Sequence, residues 1–137
     1  MPTHPIRLNA SISEATRLNE WMDDLFDTDA VPQEVRDRVK LGLSEWFANI
    51  ISYGIEDPDA AHIEFRMTVS PEKIEVVVED NGTAFDPLNA PEPVLITNIE
   101  AAKIGGFGIS LMKEAANEIS YRRDNGLNHM KLVFLPR

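Results

Sequence analysis

The sequence predicts an α+β domain, with three main helices on one face of a mostly antiparallel sheet in two layers. Three observations predict it. The segments HIEFRMTV and KIEVVVED alternate apolar and polar residues around the short turn SPEK, which is the pattern of a β-hairpin. Residues 11–26 and 32–52 carry apolar residues at helical spacing instead. The full order of strand, two helices, hairpin, helix, hairpin places helices together rather than between parallel strands.

Taken in order, PIRLNA reads as a short first strand. SISEATRLNEWMDDLF has a capping-box pattern, with Ser11 as N-cap and Glu14 three residues on, and an apolar line through Leu18, Met22 and Leu25. Pro32 suits the first turn of a second helix running to about Ser52, whose core stripe is Val35, Val39, Leu43, Trp46, Phe47 and Ile50. After the EDPD turn, Ile63, Phe65, Met67 and Val69 share one face of the first hairpin strand. Residues 81–104 read as a loop containing Pro87, Pro91 and Pro93, with a short helical piece near 95–102. GFGISLMKEAANEI reads as a third helix. ISYRRDNGLNHMKLVFLP reads as a closing hairpin around the Asn125-Gly126 turn.

Composition narrows the function classes. The 137 residues fit one domain, 1–137, with 43% hydrophobic and 26% charged residues. A formal net charge of −10, from 13 Lys+Arg and 23 Asp+Glu, argues against direct nucleic-acid binding, because phosphate backbones are held by cationic surfaces. Small phosphates held by backbone N–H groups remain compatible with that charge. There is no apolar run long enough to span a membrane, no signal-peptide pattern and no cysteine, so disulfides and thiolate metal sites are excluded and a cytoplasmic location is expected.

Three constellations carry chemistry. In the second helix Glu45 and Asn49 lie one turn apart, opposite the core stripe. Their neighbours Leu41, Gly42, Ala48 and Ser52 are apolar or small, where a solvated face normally carries Lys, Arg and Glu. Two readings stand: a plain wet face, or small residues that leave room for a close approach. In VVVEDNGTAFDP, strand parity puts Asp80 on the same face as Ile74, Val76 and Val78, at the strand's end. Asn81-Gly82 fits a hairpin turn, and Asp80 with Gly82 equally fits a carboxylate accepting a hydrogen bond from a ligand amine. In KIGGFGISLMK three glycines lead into a helix, an arrangement that presents free N–H groups to an anion, while glycines also serve tight packing. The preceding loop exceeds the usual connection length, which favours a lid or disorder. His4, His62 and His129 show no metal-ligand spacing, and Trp21 and Trp46 occupy core positions that suit packing better than stacking.

Together, in this order, the elements resemble the Bergerat-fold (GHKL) ATP-binding family. The "E…N" of EWFAN resembles its N box, DNGTAFD its first glycine box and GGFG its second, and the resemblance covers essentially the whole chain. The length, the ISYG ending of the second helix and the FDP after Asp-x-Gly are most similar to the anti-sigma factor serine kinase branch. That resemblance implies ATP and Mg²⁺ as cofactors. Asp80 would accept the adenine amine, Gly82 would support the close approach, and Asn49 would bind the metal. Gly105, Gly106 and Gly108 would supply backbone donors to the phosphates, with Lys103 a cation beside them. Phe85, Phe107 and Ser110 would complete the nucleotide contacts. Glu45 would act as the catalytic base toward a protein serine.

The implied partners are a STAS-domain anti-anti-sigma protein, a sigma factor and a second copy of the chain. The alternative is an ATP-binding switch module with little or no kinase turnover. Two regions depart from the family pattern: Ala84 stands where a second glycine is common, and Asn128 and His129 stand near the start of the last strand, where many relatives carry a hydroxyl residue.

Overall fold

The computed structural model describes residues 2–89 and 106–136. Among them the elements are β1 (Thr3–Leu8), a 3₁₀ turn (Ile12–Glu14), α1 (Ala15–Thr28) and α2 (Gln33–Asn49). There follow a π-helical turn (Ile50–Gly54), β2 (Ile63–Val69), β3 (Ile74–Asp80), α3 (Gly106–Ala115), β4 (Glu118–Asp124) and β5 (Leu127–Phe134). The strands form one five-stranded sheet in the order β1-β2-β3-β5-β4, and every pairing is antiparallel. The architecture is the α+β sandwich that the element order predicts.

One face of the sheet is buried and the other is wet, as alternation requires. Ile63, Phe65, Met67 and Val69 of β2, Ile74, Val76 and Val78 of β3, and Met130, Leu132 and Phe134 of β5 meet the apolar stripes of α1 and α2. Every residue of the expected α2 stripe, from Val35 to Ile50, is buried. In α1 the buried line is Leu18, Met22 and Phe26, and Leu25 is only partly covered.

Four local details either differ from the sequence expectation or decide between readings that it left open. Ser11 caps the 3₁₀ turn rather than α1, accepting from Ser13 N at 3.4 Å, while the Glu14 carboxylate reaches back to Asn9 N at 3.0 Å. Helix α3 stops at Ala115 rather than continuing to Ile119, because Glu118–Asp124 pairs along β5. Gly42 is small for packing: a Cβ there would stand 3.1 Å from Phe134 Cζ and 3.8 Å from Ala115 Cβ, so it lets α2 approach β5 and α3. Asn81-Gly82 makes no hairpin; Asn81 instead fastens the preceding loop, accepting from His62 N and donating to Ala60 O, both at 2.8 Å. The Asn125-Gly126 turn does form, with both residues at positive φ (52° and 78°), as a tight two-residue hairpin requires.

Arg38 ties the layers together. It is buried in α2 and donates to the carbonyl oxygens of Ala115 and Leu135, to Asn117 Oδ1 and to the Glu34 carboxylate. Its charge lies at the C-terminal end of α3, where the helix dipole favours a cation. The expected helical piece near 95–102 lies outside the described residues.

Candidate functional site

At one end of the buried face a single row of residues crosses all five strands: Leu8, Ile63, Asp80, Asn128 and Arg123. Its two apolar members join the core and its three polar members build a site. Asp80 is 2% exposed and Asn128 4%. Asp80 Oδ1 accepts from Gly82 N at 2.9 Å and from Asn128 Nδ2 at 3.0 Å. Asn128 Nδ2 also donates to Thr83 O at 2.9 Å, and its Oδ1 accepts from Tyr121 Oη at 2.5 Å and Arg123 Nη1 at 3.1 Å. Every hydrogen-bonding valence of the Asn128 amide is therefore used. Asp80 Oδ2, by contrast, is buried without a partner.

Burial pushes the Asp80 carboxyl above its ordinary range, against the opposing pull of the Asn128 and Gly82 hydrogen bonds and the Arg123 charge. A buried acceptor of this kind costs free energy unless a donor reaches it. A recess of about 100 Å³ opens beside it, lined by Trp46, Asn49, Ile50, Tyr53, Gly54, Asp80, Thr83, Ala84, Phe85 and Asn128. The walls are mostly apolar. Phe85, 40% exposed, stacks on Trp46 with ring centroids 6.4 Å apart and planes inclined by 19°. Trp46 itself is 3% exposed, and its indole Nε1 is buried with no partner.

The rim is held by backbone. The π-helical turn ends at Gly54, whose carbonyl accepts from Thr83 N at 2.8 Å. A Cβ at Gly82 would stand 2.5 Å from that carbonyl oxygen and 2.9 Å from Asp80 Oδ1. Only glycine fits between them. Its space is taken by Gly54, so glycine here serves the closure of the rim.

A larger recess of about 420 Å³ lies among Val31, Pro32, Val69, Pro71 and Phe134. Neither of the two unpartnered buried polar atoms found among the described residues belongs to its wall. Both belong to residues that line the smaller recess, which makes it the candidate site.

The structure brings Asp80, Asn49 and Phe85 to the recess, with Gly82 directly behind its rim. Glu45 is half-buried one helical turn before Asn49, outside the recess lining. Gly106, Phe107 and Gly108 form the first turn of α3, and Ser110 is half-buried on the same helix. Lys103 and Gly105 lie outside the described residues.

Sequence reasoning placed Asn128 near the site but assigned it no role. The signal was available: counting inward from the Asn125-Gly126 turn puts Asn128 on the buried parity of β5, opposite Asp80. Trp46, expected to pack, both packs and forms the recess wall.

Two of the three histidines, His62 and His129, also gather where spacing showed nothing. On the wet face His62 Nε2 lies 2.9 Å from Glu79 Oε2, and His129 Nδ1 lies 3.8 Å from Glu79 Oε1. Glu64 joins His62 and Glu79 within 4.8 Å, but the Arg66 guanidinium lies 3.4 Å from Glu64 and 3.9 Å from Glu79. With a cation already bridging both carboxylates, this is an ion-pair network. The His62 hydrogen bond, with Arg66 behind it, holds the Glu79 carboxyl below its ordinary range against the cost of partial burial.

Comparison with known proteins gives the family. Residues 8–134 match the family described as the histidine kinase-like ATPase domain. The chain belongs to that family. The family member's curated relatives include the serine/threonine-protein kinase BtrW of Bordetella bronchiseptica, 30% identical over 96% of this chain and 92% of that protein. They also include the serine-protein kinase RsbW of Listeria monocytogenes, 25% identical over 69% of this chain and 63% of that protein, so this match spans less than two thirds of RsbW. Among solved structures, the RsbU and RsbW domains of a Mycobacterium tuberculosis protein superpose with a TM-score of 0.70 at 13% identity, over 98% of this chain and 32% of that one. The histidine kinase domain of a blue-light-activated kinase from Erythrobacter litoralis follows at 0.57 and 15% identity, over 93% of this chain and 61% of that one. Within its family the chain thus groups in sequence with proteins named as serine or serine/threonine kinases. Among the described residues no helix is long and apolar enough to cross a membrane.

Proposed function

We propose that this ATPase-family domain is a Mg-ATP-dependent protein serine/threonine kinase of the anti-sigma factor type, whose substrate is a STAS-domain anti-anti-sigma protein. The observation that carries the nucleotide half is Asp80 Oδ2, a buried acceptor without a partner on the wall of a mostly apolar recess. An exocyclic amine on a flat ring is the ligand group that suits it. Its other oxygen is held by Gly82 and Asn128, which fixes the orientation of the carboxylate.

The remaining roles follow from α2. Asn49 offers a neutral amide oxygen on the recess wall, the hard donor type that a Mg²⁺ ion accepts. Bound Mg²⁺ neutralises phosphate charge, which together with positioning is the main requirement of phosphoryl transfer. Glu45 lies four residues before Asn49, on the same side of α2, where a general base for a serine hydroxyl is needed. The first turn of α3 presents backbone N–H groups to the anionic end of the nucleotide. The relatives named serine/threonine-protein kinase and serine-protein kinase support the choice of a serine or threonine acceptor. In this reading the domain acts in the cytoplasm, as a homodimer that also sequesters a sigma factor.

Incubation of the chain with a cognate STAS-domain protein and labelled Mg-ATP tests the proposal. Label on a serine or threonine of the partner supports it. Tight Mg-ATP binding without transfer to any cognate partner would replace it with the switch-module reading.

A further inference from the structure

The two unpartnered buried polar atoms of the described residues are a donor and an acceptor, and both belong to residues lining one recess. Asp80 Oδ2 is the acceptor. The donor is the indole Nε1–H of Trp46, a group that can only donate and that usually finds a partner when buried. An apolar position on α2 would be filled as well by Phe or Leu, which leave no unsatisfied N–H. The ring is also held firmly, between the core and the face of Phe85.

We propose that Trp46 is a specificity-determining residue of the nucleotide site, donating its indole N–H to a ring nitrogen of the purine whose exocyclic amine is held by Asp80. This rests on the nucleotide reading above. The chemistry selects the ring nitrogen: the recess is small, mostly apolar and shaped by aromatic walls, which suits the base. The phosphates, by contrast, need metal, water or several backbone donors. An acceptor at Asp80 alone would take any amine. A donor and an acceptor together require an amine beside a bare ring nitrogen, as adenine presents. Guanine presents a carbonyl and a protonated ring nitrogen along its corresponding edge and would meet Asp80 and Trp46 with the wrong polarity.

Titration of the wild-type chain and Trp46→Phe with Mg-ATP and with its 1-deaza, 3-deaza and 7-deaza analogues tests this. A neutral hydrogen bond of this type is worth about five- to tenfold in affinity. The expected result is that Trp46→Phe weakens ATP by about that factor. One deaza analogue should be weakened similarly for wild type and bind both proteins alike. Equal weakening of ATP and all three analogues would mean that Trp46 only packs, and unchanged ATP affinity would mean that it donates nothing; either overturns the inference.

Should Trp46→Phe fail to fold, the wild-type protein still decides. The chain has two tryptophans, so Trp21→Phe assigns the two indole N–H resonances. The Trp46 signal should move downfield with ATP and not with the discriminating analogue. A Trp46 signal that responds identically to ATP and all three analogues overturns the inference. A wild-type chain that binds no Mg-ATP overturns the nucleotide reading itself, whereas ATP binding lost in Asp80→Asn but untouched in Trp46→Phe overturns only the Trp46 assignment.

Discussion

Asp80 and Asn128 stand directly opposite each other in the β3–β5 ladder, and the 3.0 Å bond between them uses one carboxylate oxygen while the other stays buried without a partner. The pair divides the work. Asn128 spends its whole amide on local partners, whereas Asp80 keeps one oxygen without a partner.

Asp80→Asn separates binding from stability. The variant keeps an oxygen for Gly82 N and Asn128 Nδ2 but turns an NH₂ donor toward the recess, so a ligand amine meets a donor. Mg-ATP affinity should fall by at least about a hundredfold in calorimetric titration, since an ionic hydrogen bond is lost and two donors face each other. The folded protein should become no less stable at neutral pH. Burial raises the Asp80 pKa in the folded state. Between the unfolded and folded values the folded chain therefore holds the extra proton, and stability falls as pH rises through that window. The asparagine variant lacks this penalty. Its stability relative to wild type should increase from strongly acidic pH to pH 7, as read from urea midpoints.

Asn128→Ala should behave oppositely on stability. It strips partners from Tyr121, Arg123, Thr83 and Asp80 at once. A loss of about 2–4 kcal/mol in urea unfolding is expected, together with weakened nucleotide binding, because buried polar groups are left unpaired.

At Gly82 the added methyl of Gly82→Ala has nowhere to go, since the Gly54 carbonyl is backbone and cannot rotate aside. Overpacking of this kind costs about 1–3 kcal/mol. The Thr83–Gly54 hydrogen bond should open with it, seen as faster amide exchange at Thr83.

Glu45→Ala should retain Mg-ATP affinity within about twofold, since Glu45 does not line the recess, while phosphotransfer falls by about 10²–10⁴, the usual contribution of a general base. Normal transfer by this variant would remove Glu45 from the mechanism.

Arg38→Met should destabilise the fold by about 3 kcal/mol without changing nucleotide affinity. It deletes the buried cation that satisfies the Ala115 and Leu135 carbonyl oxygens, and none of these residues lines the recess. Thermal unfolding and an ATP titration on the same sample check both halves.

Much of this protein was legible in its residues because the relevant signals are local and periodic. Two-residue alternation set the faces of β2 and β3, including the inward parity of Asp80, and the 3.6-residue period set the α2 stripe. Asn125-Gly126 specified its hairpin because few other pairs adopt two consecutive positive φ angles.

The rest depended on which elements meet, and that is a property of the sheet order. Gly42 and Gly82 are indistinguishable as glycines in the sequence. Only the packed structure shows one yielding to Phe134 and the other to the Gly54 carbonyl. Asn81-Gly82 has the same local turn chemistry as Asn125-Gly126, yet β3 pairs next with β5, so the first pair closes a loop and the second a hairpin. Sequence alone determined the residue types and faces of the site, because side-chain direction follows backbone period. Tertiary structure decided that Asn128 saturates one oxygen of Asp80 and that the other shares a recess with the Trp46 indole, because hydrogen-bond satisfaction is settled only when distant strands lie side by side.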